Sequence, residues 1–130
     1  MNYHIILVDD EIELVKNLKY ELEDLIKNLK VTYYSNGYDA LSAVRQESID
    51  LVLSDIAMPD MDGFELYTRV KEQDDSIPVI LMTGFGYDPN HVVVKTKQKG
   101  PVDIVPKPFD TEKLADLLVR RLQDHPPKEG

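Results

Sequence analysis

The sequence contains no cysteine, which excludes disulfides, thiolate metal sites and cysteine nucleophiles together. Its three histidines, His4, His91 and His125, lie too far apart for metal-ligand spacing, so each reads as a surface or loop residue. No apolar run approaches the roughly 18 residues needed to cross a membrane. The opening MNYHIILVDD lacks the basic segment and small-residue cleavage site of a secretory signal. The cytoplasm is therefore the expected compartment, and no membrane partner is expected. Positive charge is scarce too: 15 Lys and Arg face 24 Asp and Glu, for a net charge of -9. Such a surface repels phosphate backbones and anionic lipid, which disfavours direct nucleic-acid binding and suits a divalent cation.

What is present has the make-up of one globular domain. With 130 residues, 42% hydrophobic and 30% charged, the chain can bury a single sizeable core. HIILV at 4–8 reads as a buried strand ending at Asp9 and Asp10. From Ile12 to Leu29, Leu14, Val15, Leu18, Leu22, Leu25, Ile26 and Leu29 recur at threes and fours, predicting one amphipathic helix. Either Asp9 or Asp10 also suits its N-cap. VTYY at 31–34 is a second strand, followed by turn residues and a short helix marked by Ala40, Leu41 and Val44. DLVLS at 50–54 gives a third strand, and Phe64, Leu66, Tyr67 and Val70 a helix over 64–73. IPVILM at 77–82 and PVDIV at 101–105 are the fourth and fifth strands. A crossover between them predicts a short helix near 90–99. The last helix starts near Asp110 or Thr111 and carries Leu114, Leu117, Leu118 and Leu122. Residues 1–124 are expected to form the domain, and 125–130 a tail or the start of a linker.

Five strands alternating with five helices imply an α/β, doubly wound parallel sheet covered on both faces. Ligands of such sheets sit beyond the carboxyl ends of the strands. The residues expected there are Asp9 and Asp10 after the first strand, Asp55 after the third, Thr83 and Gly84 after the fourth, and Lys107 after the fifth. Three converging carboxylates repel unless one is protonated or a cation neutralises them. Magnesium suits this set, because it takes a few carboxylates, a carbonyl and retained waters, and its usual companion is a phosphoryl group. Lys107 offers that group a point charge and Thr83 a hydroxyl donor. Asp55 becomes the candidate nucleophile, since a carboxylate can form an aspartyl phosphate. Asp60 and Asp62, before Gly63, read as turn and helix-start residues. Tyr33, Tyr34 and Tyr38 read as packing and surface residues, because the basic residues of a stacking platform are missing around them.

LVDDE at 7–11, SDIAMPDMDG at 54–63, PVILMTG at 78–84 and PKPF at 106–109, each at a strand end and in this order, resemble the response regulator receiver domains of two-component signalling. The resemblance covers residues 4–123. It implies a flavodoxin-like fold with strand order 2-1-3-4-5 and a phosphorylation-dependent switch rather than an enzyme, with only self-phosphorylation and slow self-dephosphorylation. By the same resemblance Asp55 is the phosphoacceptor and Asp10 a direct Mg2+ ligand. Asp55 and the backbone carbonyl of Ala57 would complete the protein ligands, and Asp9 would act through water. Thr83, Gly84 and Lys107 would contact or leave room for the phosphoryl group, and Pro108 would hold the lysine loop, often through a cis peptide. The donor would be a histidine kinase or a phosphotransfer protein, and partner binding would change on the face of the fourth helix, fifth strand and fifth helix. A homodimer formed on phosphorylation is left open, as is the downstream protein or fused output domain.

Two departures stand out. Ile104 occupies the position where the family often has an aromatic residue coupling the site to its output, and the stretch from Thr83 to Lys107 is about two residues longer than usual. They keep a second reading in view, a pseudo-receiver that binds partners without the chemistry. A third, an aspartyl-phosphate phosphatase, would want an acid two residues after the nucleophile. That position is Ala57.

Overall fold

The apolar runs become strands and the amphipathic stretches become their covering helices. The structure is a computed structural model that describes residues 2–84 and 102–124. In chain order the elements are β1 (Tyr3–Val8), α1 (Ile12–Leu25), β2 (Leu29–Tyr34), α2 (Gly37–Gln46), β3 (Leu51–Asp55), α3 (Gly63–Gln73), β4 (Val79–Thr83), β5 (Asp103–Pro106) and α4 (Thr111–Gln123). The helix expected near 90–99 lies outside the described residues. All neighbouring strands pair in parallel, in the order β2-β1-β3-β4-β5.

β3 is the middle of the sheet and is buried along its whole length. Its alternation feeds two cores: Leu51 and Leu53 pack with α1 and α4, whereas Val52 packs with α2 and α3. Each fully buried leucine contributes roughly 2 kcal/mol of transfer free energy, so a run such as LVL fixes which residues can leave the sheet at its end. Among the described residues no helix is long and apolar enough to cross a membrane.

Helix starts follow local chemistry. Asn36 caps α2 by accepting the Asp39 N–H at 2.9 Å, and Asp62 caps α3 by accepting the Glu65 N–H at 2.9 Å. Asp110, rather than Thr111, caps α4, accepting from the Glu112 and Lys113 N–H groups. Asp60 has a left-handed φ of 68°, as the turn reading of that loop requires.

The first helix is shorter than its periodicity predicts. It ends at Leu25, Ile26 is already extended, and Asn28 takes a left-handed φ of 63°. Leu29 then opens β2, where Leu29 and Val31 are buried and Lys30 is exposed. Within α1 the core stripe is Val15, Leu18 and Leu22, while Leu14 and Leu25 are 39% and 47% exposed. Neither Asp9 nor Asp10 caps it: the N-cap is Glu11, without a side-chain bond, and Asp9 Oδ1 instead accepts the Glu11 N–H at 3.0 Å. His4 lies in β1 rather than in a loop, its Nε2 2.8 Å from Thr32 Oγ1; His91 and His125 fall outside the described residues.

At the far edge, Asp103 of β5 is held by Arg121 of α4 through a two-pronged pair, Nη2 donating to Oδ1 at 2.9 Å and Nε to Oδ2. The hydrogen bond from Arg121 keeps the Asp103 carboxyl below the usual carboxylate range. This part-exposed pair fastens the strand that leads to Lys107 onto the last helix.

Candidate functional site

Register brings the expected residues to one edge. Val8 lies opposite Ser54, so the residues that follow, Asp9 and Asp55, leave adjacent strands side by side. Asp55 lies opposite Met82 and Thr83 opposite Pro106. The Lys107 N–H donates to the Thr83 carbonyl at 2.8 Å, extending the β4–β5 ladder by one step and delivering the lysine to the same edge. The Lys107–Pro108 bond is cis.

Carboxylate oxygens of Asp9, Asp10 and Asp55 lie within 4.8 Å of one another. Asp9 is fully buried, Asp55 and Thr83 are nearly so, and Asp10 is exposed. Lys107 Nζ donates to Asp9 Oδ2 at 2.9 Å and stands 3.4 Å from Asp55 Oδ1. The lysine expected to face a phosphoryl group thus rests chiefly on Asp9, a pairing 98 residues apart in sequence.

Burial, and then the charge of Asp9, push the Asp55 carboxyl above its ordinary range, with Lys107 pulling the other way. Burial alone would lower the Lys107 ammonium. Its hydrogen bond to Asp9 and the charges of Asp9 and Asp55 outweigh that and raise it. Three carboxylates converge here while the lysine pairs with two of them, Asp9 and Asp55, so the donor set is compatible with a divalent cation.

Alongside this cluster runs a cleft of about 720 Å³, whose lining includes Asp10, Asp55, Ala57, Gly84, Lys107 and Pro108. Ile104 is not with them: it is half-buried in β5 against the core shared with α2 and α3. Tyr38 is 53% exposed, while Tyr33 and Tyr34 pack against opposite cores.

Removing the lysine tests the electrostatics. Lys107→Met removes the ammonium that donates to the buried Asp9 and leaves that carboxylate accepting from the Glu11 N–H. A loss of about 2 kcal/mol is expected at neutral pH in chelator, read from denaturant unfolding. An unchanged midpoint would mean that the pair contributes nothing to folding.

Two residues around Asp55 were not picked out from the sequence. Ser54 is fully buried and donates its hydroxyl to the Asp55 carbonyl at 2.9 Å. Gly63, at the first position of α3, approaches so closely that a Cβ there would lie 2.6 Å from the Asp55 carbonyl oxygen. A polar residue inside an apolar strand and a glycine at the start of a helix were the available signals.

The family profile described as the response regulator receiver domain matches residues 5–119. The DNA-binding transcriptional regulator NtrC of Proteus hauseri is 35% identical over 118 residues, covering 89% of this chain and 24% of that protein. The transcriptional regulatory protein FixJ of Bradyrhizobium diazoefficiens is 31% identical over 124 residues, covering 95% of this chain and 58% of that protein. The chain thus spans about a quarter of the first relative's length and little more than half of the second's. Among solved structures, the signal receiver domain of an HD domain-containing protein from Pseudomonas fluorescens Pf-5 superposes with a TM-score of 0.84 at 27% identity, covering 95% of this chain and 97% of that one. With the profile spanning most of its length, this chain belongs to the response regulator receiver domain family.

Proposed function

We propose that residues 1–124 form a phosphorylation-dependent signalling switch that takes a phosphoryl group on Asp55 from a histidine kinase or phosphotransfer protein. The observation that carries this reading is the convergence of Asp55 with Asp9, Asp10 and Lys107 at the carboxyl edge of the sheet. An Asp55 carboxylate oxygen attacks phosphorus, the bond from phosphorus to the donor's imidazole nitrogen breaks, and that nitrogen leaves with the electron pair. Lys107, already within 3.4 Å of the carboxylate, neutralises charge on the incoming group. Thr83, at the end of β4, supplies a hydroxyl to a phosphoryl oxygen, and Gly84 leaves room beside it. Asp10, Asp55 and the Ala57 carbonyl would hold Mg2+, with Asp9 acting through water. When bound, the metal supplies charge stabilisation to the transferring group.

A covalent anion at Asp55 can shift partner binding only if two conformations differ by a few kcal/mol. The surface that would change spans residues 84–123. The test is labelling with a small phosphodonor, with and without magnesium, followed by mapping of the acyl phosphate. The reading expects one magnesium-dependent phosphoryl group per chain, at Asp55. Labelling that ignores chelator, or that maps elsewhere, would defeat it.

A further inference from the structure

We infer that Ser54 is a positioning residue for Asp55, its hydroxyl holding the Asp55–Ile56 peptide so that the neighbouring carboxylate keeps its aim at Lys107 and Asp9. The inference rests on the phosphoacceptor reading and adds to it a residue that touches neither donor nor metal.

The bonds around this peptide are well defined. Ser54 Oγ donates to the Asp55 carbonyl at 2.9 Å from a side chain with no exposed surface. The N–H of the same peptide, on Ile56, donates to the Met82 carbonyl of β4 at 3.0 Å. One residue on, the Ile56 carbonyl accepts from Gly63 at 2.9 Å and from Met58 at 3.1 Å. From the loop side Gly63 comes so near that a Cβ there would lie 2.6 Å from the Asp55 carbonyl oxygen and 2.8 Å from Ile56 Cα, so there is little room for the plane to rotate. A peptide whose N–H and C=O are both satisfied has one orientation, and the Cα–Cβ bond of Asp55 follows from it. Burying a hydroxyl in an otherwise apolar strand is unfavourable unless it is bonded, and here its bond goes to the backbone of the reacting residue. A residue chosen only to fill space would be aliphatic, like Leu51, Val52 and Leu53.

If orientation is what Ser54 supplies, its loss should slow the chemical step more than it weakens donor binding, because misplacing a nucleophile lowers the maximal rate. Ser54→Ala deletes the hydroxyl without overpacking. Ser54→Thr and Ser54→Val have nearly equal volume and differ in the hydroxyl. Each protein, with fold checked by circular dichroism, would be labelled with acetyl phosphate over a range of donor concentrations at saturating magnesium. Ser54→Ala and Ser54→Val should lose about tenfold in maximal rate with half-saturation unchanged, and Ser54→Thr should recover most of it. A folded Ser54→Ala with the parental rate, or equal rates for Thr and Val, would overturn the inference. A parent that takes no label would instead overturn the phosphoacceptor reading beneath it.

Discussion

An Asp55→Asn protein is expected to take no phosphoryl group from a small donor and, in chelator, to melt at a higher temperature than the parent. The first half follows from chemistry. Asparagine keeps nearly the same shape but offers an amide in place of a carboxylate nucleophile, so labelling should fall to background. The second half follows from electrostatics. The folded-state carboxyl of Asp55 is raised above its ordinary 3.8 by burial and by Asp9. The folded protein therefore holds more protons than the unfolded chain above about that pH. Stability falls as pH rises from there through the raised folded value, and it stays reduced beyond it. Removing the charge relieves that cost, and Lys107 keeps Asp9 as its partner. The gain should be largest near neutrality and shrink toward about pH 3, where the carboxyl is neutral in both states. Thermal melts across that range check it. A variant that melts below the parent at neutral pH would mean that the Asp55–Lys107 contact outweighs burial.

The strand ends were legible in sequence because apolar runs that stop on an acid or a threonine can mean little else in a parallel sheet. Asp9, Asp10, Asp55, Thr83 and Lys107 all emerge at the same edge for that reason. Local periodicity was less reliable where two periods overlap. Ile26 and Leu29 continue the helical spacing of α1, yet Leu29 and Val31 also alternate around Lys30, and the strand pattern prevails once Asn28 turns left-handed. Leu14 and Leu25 fit a helical stripe but fall to its solvent side, because β1 and α4 receive Val15, Leu18 and Leu22. The resting partner of Lys107 could not be read from spacing, since both acids lie at the same edge and only geometry separates 2.9 Å to Asp9 from 3.4 Å to Asp55. Ser54 was not singled out in the sequence. Its meaning lies in a hydrogen bond to the next residue's carbonyl, which one-dimensional patterns do not record.

Gly63→Ala is expected to lose about 3 kcal/mol of stability, near the upper end of ordinary overpacking costs, and Gly63→Val more. A glycine at the first position of a helix is usually explained by its turn, but Gly63 has no left-handed φ to accommodate. What it lacks is space: a Cβ would sit 2.6 Å from the Asp55 carbonyl oxygen, 2.8 Å from Ile56 Cα and 3.2 Å from the Asp55 carbonyl carbon. All three are backbone atoms of the strand end, so no side chain can swing aside. Relief requires either α3 to back away, stretching the Gly63 N–H bond to the Ile56 carbonyl, or β3 to yield at the phosphoacceptor. The two routes separate by measurement. Denaturant midpoints report the total cost, while the labelling rate of the fully folded variant reports whether Asp55 has moved. Gly84→Ala is the contrast, because a Cβ there meets nothing within 4 Å among the described residues. Its midpoint should stay within about 0.5 kcal/mol of the parent. Equal losses at the two glycines would show that helix or turn propensity, rather than close approach to Asp55, decides the cost. A large loss at Gly63 alone would tie the start of α3 to the acceptor carboxylate, so that the loop from Ile56 to Gly63 both ends the strand and sets where its aspartate points.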